Sequence, residues 1–189
     1  GAYRRMFSEA PNSLGQMSAY LDEVTKDKGF SAIVVLIKSV LGNSDAVFFL
    51  FLAAIQILCV ALVFRKYSCD YWFSIFLFIA STDYLSWVHN GMRQFLAVTI
   101  IFAATGLILK KRYIPAILII LVAATIHGSA LLMLPIIFII QGKAWNKKTL
   151  LCVLASIVIL LFVGQFTDIL DTLLSDTQYE NVVSDWQSW

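Results

Sequence analysis

Residues 114–140 read IPAILIILVAATIHGSALLMLPIIFII, a 27-residue apolar stretch that contains Pro115, the triplet His127-Gly128-Ser129 and Pro135. A helix needs about 20 apolar residues to cross a hydrocarbon layer of roughly 30 Å, so one tilted helix could span it. The flanking charges argue otherwise. Lys110-Lys111-Arg112 precede the stretch, and Lys143 with Lys147-Lys148 follow it. Basic residues collect in cytoplasmic loops, and a single crossing would put these two groups on opposite sides. Two shorter helices turning at the triplet keep both inside and leave His127 at the outer tip. Gly128 supplies backbone freedom for such a turn. Each arm is about a dozen residues, short for a full crossing at about 1.5 Å per residue, so local thinning or a tip that stops within the membrane is expected.

The same reasoning extends outward. Residues 46–64 are uncharged, 71–88 form a second apolar segment broken by Ser81, Thr82 and Asp83, 92–109 a third that carries Arg93 at its start, and 150–166 the last. Together with Arg65-Lys66, this arrangement places eight of the fourteen basic residues inside with a single acid, Asp70. Residues 30–41 put Phe30, Ile33, Val34, Ile37 and Leu41 on one helical face with Lys38 off it, the pattern of an interfacial or re-entrant helix. Leu14, Met17, Leu21 and Val24 also recur at helical spacing. The expected fold is all-α: a polytopic integral membrane protein of about six transmembrane or re-entrant helices. Its parts are an extracytoplasmic helical arm with the interfacial helix (1–45), a transmembrane helical domain (46–166) and an acidic extracytoplasmic segment (167–189).

Composition agrees with that class. Of 189 residues 60% are hydrophobic and 14% charged, the mean hydropathy is +0.82, and a soluble domain carries roughly 25% charged residues. A net charge of +2 gives no reason to expect a nucleic-acid partner. Cys59, Cys69 and Cys152 are odd in number and far apart, which supports neither a disulfide framework nor a CxxC metal site. With two histidines and no HExxH spacing, no metal site and no cofactor are expected. The sequence opens on Gly1 and ends soon after an apolar segment, so it reads as a piece of a longer chain whose targeting information lies upstream.

Two polar residues stand out. Arg93 lies just inside an apolar span after His89-Asn90-Gly91; intramembrane charges are costly and mark functional sites, and a guanidinium suits phosphate. The plain alternative is an interfacial arginine paired with a nearby acid such as Asp83. His127 can act as a general base near neutral pH or can simply hydrogen-bond a neighbouring helix. The topology puts Arg93 and His127 on the same outer side, so they are expected to share a site. His89 and Asp83 are weaker candidates that can equally mark the interface. Tyr71, Trp72, Trp87, Tyr113 and Trp145 sit near span ends as an aromatic belt would. Catalytic serine motifs and phosphate-binding glycine loops are absent.

The run Asn90-Gly91-Met92-Arg93-Gln94-Phe95-Leu96-Ala97, then Lys110-Lys111-Arg112-Tyr113, then Ile126-His127-Gly128-Ser129-Ala130-Leu131 and Pro135 resembles the EpsG family of bacterial exopolysaccharide polymerases. There a G-x-R-Q-x-x-A segment precedes a basic loop and an F-H-x-S-A-L segment; Ile126 departs from the family's phenylalanine. Tyr3-Arg4-Arg5-Met6-Phe7 and Gly29-Phe30 are similar to the family's outer loop. The resemblance spans most of this chain and about the middle half of a typical member. It implies a glycosyltransferase-C-like enzyme of the O-antigen polymerase type in the bacterial inner membrane. Such an enzyme joins repeat units carried on undecaprenyl pyrophosphate at the outer face, without nucleotide sugar or metal. Carried over, Arg93 and His127 are the catalytic pair, Arg93 on the lipid pyrophosphate and His127 on the acceptor hydroxyl, with Gln94, His89, Asp83 and Ser129 as further substrate contacts. The lipid bilayer and other polysaccharide assembly proteins are the remaining expected partners. A flippase for the same lipid-linked glycans and a non-catalytic export subunit are the rival readings; an inverted repeat would favour the first, and none is visible.

Overall fold

The computed structural model describes residues 1–81, 86–88, 91–140, 142, 145–162 and 164. Asp83, His89 and the acidic segment 167–189 lie outside them. The arm that precedes the long apolar runs folds as α1 (Ala2–Glu9), a 3-10 turn (Leu14–Gln16), α2 (Met17–Glu23) and α3 (Lys28–Leu41). Then come α4 (Asp45–Tyr67), α5 (Tyr71–Ala80), α6 (Met92–Ala103), α7 (Thr105–Leu109) and α8 (Tyr113–Ile126). A second 3-10 turn (Gly128–Leu132) leads into α9 (Met133–Ile139), and α10 is Lys147–Leu161. No strand occurs among the described residues. The chain forms two compact units, Gly1–Ile137 and the part from Phe138 onward; the site lies in the first.

Helix α4 is apolar on all sides, with a mean hydropathy of 2.9 over its best 18 residues. Yet only Phe48, Leu52, Gln56, Val60 and Val63 are buried, a single stripe at helical spacing. Leu50, Phe51, Leu58 and Leu62 on the other faces are exposed. An apolar helix that buries one stripe and presents apolar side chains elsewhere is built to be surrounded by lipid. Ser44 and Asp45 begin it and Ser68 ends it; Asp70 then caps α5, its Oδ1 accepting from the Phe73 amide at 3.0 Å.

The expected spans meet the structure unevenly. Among the described helices only α4, at 23 residues, is long and apolar enough to cross a bilayer alone. The expected span at 92–109 divides at Ala104 into α6 and α7. The division falls where Gly106 packs against the end of α4, since a Cβ there would stand 2.6 Å from the Tyr67 hydroxyl. The break in 114–140 falls where expected, but not by the expected means. Gly128 lies within a 3-10 turn, and His127 carries the bend in extended backbone (φ −154°, ψ 121°). Pro115 and Pro135 each occupy the first turn of a helix, where a missing N–H costs nothing. The single apolar face expected on 30–41 is broader: α3 buries Phe30, Ser31, Val34, Val35 and Ile37, while Leu41 is exposed.

Lys38 is buried too, contrary to its expected place off that face. Its Nζ donates to the carbonyls of Phe7 (2.7 Å), Ser8 (3.0 Å) and Ala10 (2.5 Å) at the end of α1, and lies 5.2 Å from the Phe7 ring centre. Carbonyls at a helix C-terminus have no partner of their own and attract a cation. Phe7 in turn stacks on Phe48 of α4 at 4.7 Å, and Arg4 pairs with Asp45 at 2.6 Å. These contacts hold α1 against the first half of α4.

Three relations orient the helices around the site. Gln56 of α4 donates to the Met92 carbonyl at 3.3 Å, and Phe64 of α4 lies 5.9 Å from Phe102 of α6, so α4 and α6 run in parallel. Helix α8 packs on both α6 and α3. Gly29, at the start of α3, sits on Thr125, at the end of α8: a Cβ on Gly29 would lie 2.8 Å from the Thr125 carbonyl carbon and would run into its hydroxyl. Backbone cannot yield as a flexible side chain can. Gly29→Ala is therefore expected to lower the thermal midpoint of the detergent-solubilised full-length protein, by a destabilisation of about 1–3 kcal/mol. Gly15→Ala, whose Cβ meets only the Ser13 hydroxyl at 3.6 Å, serves as the control and should leave the midpoint unchanged. Equal midpoints would show that the α3–α8 approach is looser than described.

Candidate functional site

Arg93 occupies the first turn of α6, where the helix dipole disfavours a cation. An acid answers it, but not the one expected. Arg93 Nη1 donates to Asp27 Oδ2 at 2.7 Å, and its guanidinium carbon lies 5.9 Å from the centre of the Tyr3 ring. Tyr3 is held edge-on by Phe30 at 6.0 Å. Asp83, the partner suggested by sequence proximity, lies outside the described residues.

His127 reaches the same carboxylate. Its Nδ1 stands 3.7 Å from Asp27 Oδ2 and is buried without a hydrogen-bond partner. The carboxylate is 11% exposed, against 26% for His127 and 37% for Arg93. Asp27 is thus the least exposed of the three, with the two basic groups both turned toward its Oδ2. Arg93 and His127, expected to share a site, are brought together from α6 and from the break after α8.

Asp27 was missed by the reading from sequence. It lies 66 residues from Arg93 in an arm dense in charges, Asp22, Glu23, Lys26 and Lys28 among them. Its backbone is the only signal that sets it apart, and that is invisible in sequence. Asp27 is in the left-handed region (φ 54°, ψ 43°) at the cap position of α3, and its side chain makes no cap hydrogen bond. Its carbonyl accepts from Phe30 at 2.9 Å and Ser31 at 3.2 Å, so the backbone starts the helix while the carboxylate turns away.

The other expected contacts are placed as follows. Gln94 is half-buried on α6, about 100° around the helix from Arg93. Ser129 is half-buried in the 3-10 turn two residues after His127. His89 lies outside the described residues. A cleft of about 810 Å³ opens beside Tyr3 between α1, α4 and the start of α6, lined mainly by apolar side chains with Arg4 and Gln56 among them. Gln56 is fully buried, and its Oε1 has no partner. Because Gln56 is near the middle of α4 and bonds to Met92, the start of α6 is level with the midpoint of α4. The Asp45 end stands about 16 Å away at 1.5 Å per residue.

An all-helical membrane protein with an acid–base cluster let into its helices is the class that these features define. The EpsG family model matches residues 1–186, and the chain belongs to the EpsG family. Membership associates it with exopolysaccharide biosynthesis by polymerase-like membrane proteins. No curated protein and no solved structure matches it.

Proposed function

We propose that this protein is a multi-pass inner-membrane polysaccharide polymerase that joins oligosaccharide repeat units carried on undecaprenyl pyrophosphate. The observation that carries this reading is the convergence of Arg93 and His127 on one half-buried carboxylate, from two elements that only the fold brings together. The reaction needs two things: a cation for the pyrophosphate that leaves, and a base for the hydroxyl that attacks. Arg93 is the first. Its fork can engage two phosphate oxygens and stabilise the charge that develops as the bond from the anomeric carbon breaks. His127 is the second, taking the acceptor's proton on Nε2 as the new glycosidic bond forms.

The charges support an orientation for this chemistry. A Cβ on Gly106 would lie 3.8 Å from Lys66 Nζ, so the basic end of α4 lies beside α7, which leads into Lys110-Lys111-Arg112. That end is the cytoplasmic one by the distribution of Lys and Arg, and the Asp27 cluster belongs to the opposite half. With α4 across the bilayer, the cluster lies deep in the outer half of the membrane, beneath α1 and α3. The short helices α5, α6 and α8 are then spans completed by neighbouring segments or by local thinning. The apolar cleft beside Tyr3 offers a lipid-linked chain an approach to Arg93 from the bilayer.

The test is polysaccharide chain length in cells whose full-length protein carries Arg93→Ala, Arg93→Lys or His127→Ala at unchanged membrane level. Long chains should vanish and single repeat units accumulate in both alanine variants. Arg93→Lys, which keeps the charge and loses the fork, should shorten the chains. Normal chain length in both alanine variants would end the polymerase assignment of these residues. Orientation has its own check, because Cys69 is free, exposed and next to Arg65-Lys66. A membrane-impermeant thiol reagent should label it only after the cytoplasmic face is opened; labelling from outside intact cells would invert the topology.

A further inference from the structure

We infer that Asp27 is a positioning residue for the transfer step, a carboxylate that Arg93 holds in the resting state and that His127 takes over once the lipid pyrophosphate engages Arg93. The inference rests on the polymerase reading above and extends it to a residue outside the pair on which that reading stands.

Four features of the structure carry it. An aspartate at a helix cap ordinarily accepts from an amide of the first turn, worth about 1 kcal/mol; Asp27 makes no such bond. Its left-handed backbone, which aspartate tolerates better than most residues, turns the carboxylate away from the helix that it begins. Two residues on, Gly29 is locked against Thr125, itself two residues before His127. The backbone contact between α3 and α8 therefore sets the Asp27-to-His127 distance. Finally, among the described residues the buried Nδ1 of His127 has no hydrogen-bond partner and faces this carboxylate at 3.7 Å, just beyond hydrogen-bond length.

One oxygen, Oδ2, serves both basic groups. With Arg93 at 2.7 Å it is drawn toward α6. A pyrophosphate carries more charge than a carboxylate and presents more acceptor oxygens to the guanidinium, so its arrival loosens the Arg93–Asp27 bond. The carboxylate is then free to accept from His127 Nδ1–H, which fixes the ring with Nε2 unprotonated and facing the acceptor. In the step itself the acceptor oxygen bonds to the anomeric carbon, and its proton passes to Nε2. The bond from that carbon to the pyrophosphate breaks with its electron pair on the departing oxygen. The imidazolium so formed lies against the Asp27 carboxylate, and the departing charge lies against Arg93. The base is thereby aligned only when the donor is in place, which guards the lipid-linked chain against transfer to water.

The experiment measures kcat, and KM for the lipid-pyrophosphate-linked repeat unit, on purified full-length protein. The variants are Asp27→Asn, Asp27→Glu, Asp27→Gln, His127→Ala, Arg93→Ala and the double variant Asp27→Asn with His127→Ala, each with its thermal midpoint. Asp27→Asn should lower kcat about 100-fold or more without raising KM, because Arg93 stays free for the donor. The double variant should be no slower than His127→Ala alone, since Asp27 acts through His127. Asp27→Glu should recover at least about tenfold over Asp27→Gln; this pair is matched in size and differs in charge, so it carries the test if Asp27→Asn fails to fold. Losses that multiply in the double variant, a rise in KM with kcat preserved, or equal activity in the Glu and Gln variants would overturn the role of Asp27. Wild-type kcat in both Arg93→Ala and His127→Ala would overturn the polymerase reading and this inference with it. Loss in both with Asp27→Asn and Asp27→Gln fully active would overturn the inference alone.

Discussion

A single carboxylate, that of Asp27, ties together three parts of the chain that are remote in sequence: the arm before α3, the start of α6 and the break after α8. Among the described residues it is the counter-charge of the arginine in the first turn of α6, at a positively polarised helix end, and the carboxylate that the buried Nδ1 of His127 faces. The Arg93–Asp27 pair is only partly buried, and such a pair gives little net stability because desolvation and screening offset the attraction. Removing one partner is costly all the same, and that cost fixes register. The helices must bring Arg93 and Asp27 within 2.7 Å, and the tight approach of Gly29 to Thr125 brings Asp27 to His127.

Around this point the rest of the molecule divides by what it must satisfy. The lipid-facing sides of α4 need only be apolar, and they are exposed and apolar. Its buried stripe must seat α1 at one level and α6 at the next, and there it carries Phe48, stacked on Phe7, and Gln56, bonded to the start of α6. Lys38 is a buried charge spent on the unpaired backbone carbonyls at the end of α1, whereas Asp27 meets a side-chain charge in the first turn of α6. Lys38 lies in α3 and Asp27 caps it, so that helix is the frame on which arm and site are hung.

Much of this was legible from sequence, for identifiable reasons. The uncharged run at 46–64 admits no reading but a long apolar helix, and α4 is that helix. The charge flanking 114–140 led to an expected hairpin turning at 127–129, and the helix does break there. Other features were hidden. Nothing in Ala104-Thr105-Gly106 announces that the helix divides, and the residue packed closest to Gly106, Tyr67, belongs to another helix. Lys38 looked like a solvated charge because its partners are backbone carbonyls, which have no signature in a side-chain pattern. Asp27 was lost for a related reason: its value lies in a left-handed backbone and in neighbours 66 and 100 positions away. Arg93 and His127 were found because a charge and an imidazole inside apolar segments are conspicuous, whereas an acid in a charged arm is not.

The central claim, that this chain performs glycosyl transfer rather than movement of its lipid-linked substrate, is tested most directly by reconstitution. Purified full-length protein in proteoliposomes would be given lipid-pyrophosphate-linked repeat units with no nucleotide sugar, and the products resolved by length together with the lipid pyrophosphate released. The account predicts chains of many repeats, with one lipid pyrophosphate freed for each linkage formed. Transbilayer movement of intact single units, with no pyrophosphate released and no chain longer than the substrate, would contradict it.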